Sequence, residues 1–229
     1  MGLQEGASYM LDIQERQEAI IRAAEQYVQE KLASDFSGHD WWHIERVRAS
    51  ALTIAKEEQA DVFVCELAAL LHDLADEKLF GDEEQGLREI GEWLERHGVS
   101  EDEAAHICEI ISTMSFKGGS RPPMRTLEGR VVQDADRLDA IGAVGISRVF
   151  AYSGAKGRPV HDPNVRPREA MTQAEYRSGN DTAINHFHEK LLKLKHLMNT
   201  AYGRRLAEER HQFMELFLER FHREWQGQA

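Results

Sequence analysis

Residues 67–78 read LAALLHDLADEK, an apolar helical run that ends in a knot of titratable groups. Val62, Phe63, Leu67, Leu70, Leu71 and Leu74 recur at helical spacing, and Val64 and Ala68 widen the stripe until little polar face is left. A helix of that kind is buried, so the segment is the expected centre of the core, with His72 and Asp73 in or beside it. An ionised carboxylate costs several kcal/mol to bury unless it is paired or coordinates a metal. Asp73 therefore needs a cation, and the imidazole beside it points to a metal ion. An Asp and a His satisfied by backbone donors near a helix end is the plainer alternative. The rest of the chain decides between them by whether it supplies partners.

Outward from this stretch the pattern stays helical. Upstream, Ile13, Ala19, Ile20, Ala23, Tyr27 and Val28 mark a helix over Leu11–Leu32, and Trp42, Val47, Ala51, Ile54 and Ala55 mark a second one within HDWWHIERVRASALTIAKEE. Downstream, helices are expected over Glu83–His97, stopped by Gly98, and over Glu101–Met114, where Ser100 and Glu103 make a capping box. SFKGGSRPP, residues 115–123, is a loop, and Leu127–Ile141 is a further helix carrying Asp134, Asp136 and Asp139. Between Gly142 and Gly179 the regularity fails, so residues 142–179 are expected to form a long loop, with Lys156, Arg158, His161, Arg166 and Arg168 available to close over a site. Two more helices follow from Asn180, broken near Gly203. Residues 1–10 read as a disordered or vector-derived start, and residues 11–229 as one all-α domain with a core at about 35–150 and a helical extension over 180–225.

Composition narrows the function. The 229 residues include 28 basic and 40 acidic ones, for a formal charge of -12, which repels nucleic-acid polymers and anionic membranes but leaves a small phosphorylated substrate open. Cys65 and Cys108 are too few for a disulfide scaffold or a four-thiolate zinc site and read as small core residues. No basic-then-apolar leader and no long apolar run is evident, so a cytoplasmic setting is expected.

The partners that Asp73 requires are present. His43 precedes the doublet and an aspartate of QDADRLDA, residues 133–140, follows it, each on an expected helix. Two imidazoles and two carboxylates suit Mn²⁺, Fe²⁺, Co²⁺, Ni²⁺ or Zn²⁺ better than Ca²⁺ and leave positions for water or substrate. On a helix Asp134 lies about 200° and Asp139 about 300° from Asp136, so only one of the three points squarely at a given ion.

The order H…HD…D, with the fuller strings GHDWWHIERV, ALLHDLADEK, STMSFKGG and VVQDADRLDAIGA, resembles the HD-domain metal-dependent phosphohydrolases, and one bacterial subgroup of nucleotide pyrophosphohydrolases within them. The resemblance implies an HD-domain helical bundle with additional C-terminal helices. It implies one divalent ion, Mn²⁺ first and Mg²⁺, Co²⁺, Ni²⁺, Fe²⁺ or Zn²⁺ after it, held by His43, His72, Asp73 and Asp136, with Asp134 as the second choice for the last position. The adjoining His-His pair of two-metal relatives is absent, so the site reads as mononuclear and His106 as structural or as a support behind the ligands. Asp76 and Glu77, a helical turn beyond the doublet, resemble the acid/base pair that orients the attacking water.

Arg46, on the His43 face of its helix, Lys78, Lys117 in the Gly-rich loop, and Arg137 are the candidate phosphate contacts. Asp40 reads as a helix N-cap oriented by His39, and Trp41 and Trp42 as core or pocket wall. The implied reaction cleaves a nucleoside triphosphate, a deoxynucleotide in particular, to monophosphate and pyrophosphate. Phosphomonoester hydrolysis, a non-catalytic metal- or nucleotide-binding regulatory module, and an all-α interaction protein that homodimerises through the C-terminal helices are the alternatives.

Overall fold

A computed structural model describes residues 2–33, 40–75, 82–114, 123–168 and 182–228, with residues 2–10 and Glu83 described by backbone alone. Among the described residues every regular element is helical, as expected. In chain order these are α1 (Gly2–Leu32), α2 (Trp41–Glu58), α3 (Val62–Leu71), a 3₁₀ segment (His72–Ala75), α4 (Glu83–Arg96), α5 (Glu101–Met114), α6 (Leu127–Asp139), α7 (Gly142–Ala155), α8 (Ala183–Glu189), a second 3₁₀ segment (Leu191–Leu197) and α9 (Ala201–Trp225). No described helix is long and apolar enough to cross a membrane.

The all-round apolar α3 is the axis of the bundle. Asp61 caps its start by accepting from the Val64 amide, and Cys65, Leu67, Ala68, Ala69, Leu70 and Leu71 are wholly buried. Helices α1, α2, α5 and α6 pack around it. Fully burying one leucine contributes about 1.5–3 kcal/mol, so this run outweighs the propensity of any single residue in it. Helix α2 packs most extensively on α6 and α3. His43 on α2, the His72–Asp73 doublet at the end of α3 and the aspartates of α6 are thereby carried on three helices that share one packing centre. Gly86 lets α4 lie against the doublet's segment, since a Cβ there would stand 2.8 Å from both the Ala75 Cα and the Leu74 carbonyl oxygen. The Ser100–Glu103 capping box and the Gly98 stop, at φ 74°, form as read.

A second layer comprises α7, α8, the second 3₁₀ segment and α9, which packs against α6 and α2. Its apolar filling includes Phe150, Phe187 and Phe217, with ring centroids 5.8–6.2 Å apart.

Four expectations need correction. Helix α1 begins at Gly2, because a helix nucleated downstream extends cheaply through residues that include no proline. Residues 142–155 are a helix, with Gly142, Gly145, Val149 and Ser153 making a buried stripe of mostly small residues that carries no strong apolar signal. The rest of the expected loop, as far as it is described, packs down on the second layer: Arg168 pairs with Glu189, and the His161 ring meets Phe221 and Trp225. The C-terminal break falls at residues 198–200 rather than at Gly203, which sits in the first turn of α9. Finally, Trp42 is 65% exposed, although Trp41 is partly buried.

Candidate metal centre

His43 is held at the third position of α2, where its backbone amide donates to the Asp40 side chain at 2.9 Å. Asp40 is thus the N-cap, as read. At the end of α3 the chain tightens into the 3₁₀ turn that contains His72 and Asp73. His43, His72 and Asp73 are 1%, 8% and 6% exposed, and one ligand atom from each lies within 4.8 Å of the others. His43 Nε2 stands 3.4 Å from Asp73 Oδ2, and His72 Nε2 stands 3.3 Å from Asp73 Oδ1. Asp136, half-exposed on α6, brings Oδ1 to 3.7 Å from His43 Nε2.

Both rings are anchored from behind. His72 Nδ1 lies 2.8 Å from the Ala69 carbonyl, which can only accept, so Nδ1 is the donor and in the neutral ring Nε2 is a lone pair. That buried Nε2 makes no hydrogen bond. An orphaned buried acceptor beside a carboxylate and a second imidazole fits a metal ligand, and the N/O set fits a borderline divalent ion. These three residues could hold such an ion.

Asp139 stands behind His43. It is 3% exposed, and its Oδ2 lies 2.7 Å from His43 Nδ1. Arg46 Nε donates to Asp139 Oδ1 at 2.6 Å and Arg46 Nη2 to Oδ2 at 3.1 Å, while Arg148 Nη1 donates to Oδ2 as well. Burial pushes the Asp139 carboxyl up, but hydrogen bonds from His43 and Arg46 and the charge of Arg148 reverse this and hold it well below the usual carboxylate range.

Asp134, the second choice for the α6 ligand, lies on another face of the helix. It is wholly buried and accepts from the Asn199 and Thr200 amides, the Thr200 hydroxyl and Asn199 Nδ2 at 2.8–2.9 Å. Burial raises its pKa despite these bonds. Arg137 donates to the Leu197 carbonyl and so ties α6 to the second 3₁₀ segment. His106 Nε2 meets the Thr126 hydroxyl at 2.9 Å. Asp76, Glu77, Lys78 and Lys117, like His39, lie outside the described residues.

Sequence reasoning missed Asp139 as the partner of His43, and Arg148 entirely. The available signals were the roughly 60° separation of Asp139 from Asp136 around the helix and the Gly145–Val149–Ser153 spacing that marks α7 as a helix.

Residues 41–141 match the HD domain family. The Bacillus subtilis protein YpgQ is 40% identical over 213 residues, which cover 90% of this chain and 96% of that protein. Among solved structures, one from Lactobacillus plantarum superposes with a TM-score of 0.81 at 42% identity, covering 92% of this chain and 98% of that one. An HD-superfamily hydrolase from Bacillus thuringiensis does so with 0.76 at 45% identity, covering 93% and 100%. YpgQ in complex with ADP superposes with 0.75 at 37% identity, covering 91% and 96%.

Proposed function

We propose, from the premise that the chain belongs to the HD-domain family of metal-dependent phosphohydrolases, that its substrate is a nucleoside triphosphate, deoxynucleotides first, cleaved to monophosphate and pyrophosphate. The observation that carries the reading is the buried convergence of His43, His72 and Asp73, with His72 Nε2 aimed into it and unbonded. Leaving such an acceptor unmet would cost about 1–3 kcal/mol, which a bound cation would offset. The complex of YpgQ with ADP supports a nucleotide as the ligand class.

His43, His72, Asp73 and Asp136 would hold one divalent ion, Mn²⁺ first. Such an ion supplies Lewis acidity toward a phosphoryl oxygen and lowers the pKa of water. The chain's own groups do the rest. Asp73 and Asp136 provide the negative charge that favours a dication. Arg46, 37% exposed while its inner nitrogens bind Asp139, sets positive charge beside the cluster for a polyphosphate. Asp76 and Glu77 are assigned proton transfer, and Lys78 and Lys117 phosphate contact, on the family resemblance. Both cysteines are free, which agrees with a reducing cytoplasmic setting.

The test mixes the whole chain with Mn²⁺ and nucleoside mono-, di- and triphosphates and separates the products. Triphosphates should give monophosphate and pyrophosphate, and His72→Ala and Asp73→Ala should abolish this. No turnover by the wild type, or unchanged turnover in both variants, would sink the reading. Phosphate released from monophosphates would replace it with monoester hydrolysis.

A further inference from the structure

We infer that Asp139 is a positioning residue, which fixes His43 with its proton on Nδ1 and so presents Nε2 as a metal ligand. The inference rests on the metal-centre reading but concerns a residue outside the four ligands.

Two arrangements compete for the ring. His43 Nδ1 faces Asp139 Oδ2 at 2.7 Å and Arg148 Nη1 at 3.1 Å. If Nδ1 carries the proton, it donates to Asp139, and Nε2 is a lone pair directed toward Asp73 and Asp136. If Nδ1 is bare, it accepts from Arg148, and the proton sits on Nε2, where it blocks coordination. The geometry favours the first arrangement. The carboxylate contact is the shorter one, and Arg148 Nη1 already has a still closer acceptor in Asp139 Oδ2.

Arg46 and Arg148 reach the same carboxylate from α2 and α7, so Asp139 is clamped from two helices while it holds a ring on α2. Arg46 and Arg148 both donate to this carboxylate, so its oxygens face the ring as acceptors, the property the ring requires of it. His72 reaches the same tautomer by another device, the Ala69 carbonyl. The two imidazoles of the centre are therefore set alike, one by backbone and one by a salt-bridged carboxylate. Such partners behind a ligand raise its basicity and fix its orientation.

The test titrates Mn²⁺ into the whole chain by calorimetry. Asp139→Ala should weaken binding about 10–100-fold, and Asp139→Asn, which keeps an acceptor oxygen, should recover most of that loss. Long-range proton–nitrogen NMR of the metal-free wild type, assigned with His43→Gln, should show His43 Nδ1 protonated. A bare Nδ1 with the proton on Nε2 overturns the inference, as does Asp139→Ala binding Mn²⁺ within about twofold of wild type. The ring proton is read on the metal-free wild type itself, the His43→Gln variant serving only to assign its signal. It therefore judges Asp139 separately from the metal centre, whose own failure would be a wild type that binds no Mn²⁺.

Discussion

Asp134 and Asp139 sit on the same helix, buried to 0% and 3% exposure, and meet opposite fates. Asp139 accepts from an imidazole and two guanidiniums, and its pKa falls, whereas Asp134 accepts its hydrogen bonds from amides and a hydroxyl, and burial drives its pKa up. Burial of an acid is thus no signature of a metal site by itself. The type of donor around it decides whether its charge serves ligand chemistry or closes a joint between layers. At the Asp134 joint even the facing glycine is fitted, since a Cβ on Gly203 would come within 2.5 Å of Asp134 Oδ2.

The comparison breaks most readily at the extremes. Asp73→Ala should lower kcat/KM by at least about a hundredfold, the scale of one lost electrostatic contact in a transition state, while the chain still folds. Equal activity would remove the doublet from the chemistry. Asp134→Ala should do the reverse. With two backbone amides and a hydroxyl left unmet, it should cost about 2–5 kcal/mol, a fall in melting temperature of roughly 5–15 °C. The Mn²⁺ affinity of the folded protein should not change. A loss of metal binding without a loss of stability would return Asp134 to the ligand set.

Titration separates the two aspartates more finely. The folded state binds a proton at Asp139 more weakly than the unfolded state does, so its stabilisation is present above about pH 4, the ordinary aspartate value, and is lost as pH falls toward the folded pKa. Asp134 has the opposite sign, its raised pKa giving a contribution present below about pH 4 and lost as pH rises through the folded value. Urea midpoints of the metal-free protein against pH should therefore show the Asp139→Asn deficit growing with rising pH and the Asp134→Asn deficit shrinking. Slopes of the same sign would end the contrast.

How much of this the sequence carries depends on the range of the contacts. The helices around α3 were legible because apolar periodicity is local, and so were the Asp40 and Ser100 caps. The order His43, His72–Asp73, Asp136 was legible as a pattern, and the structure sets His43 beside the other three. Asp134 was not, because its partners Asn199 and Thr200 lie some sixty-five residues away and leave no periodic trace. Arg148 was hidden by its helix, where Gly142, Gly145 and Gly154 imitate a loop although the first two are buried packing positions.

The smallest expected effect concerns the residue beside the first histidine. Trp42 and His43 are adjacent on α2, one 65% and the other 1% exposed, because successive helical positions turn by about 100°. Apolar spacing counted Trp42 with the core stripe, yet burial follows the contact with α3 and α6, and Trp42 misses it. Trp42→Ala should then shift stability by no more than about 0.5 kcal/mol, as for surface positions generally, and leave Mn²⁺ affinity as it was. A raised KM with unchanged stability would show that the indole touches the substrate. In that case its exposure would mark a pocket wall open to solvent, and the contrast between the two neighbours would be one of substrate contact against metal contact rather than of surface against core.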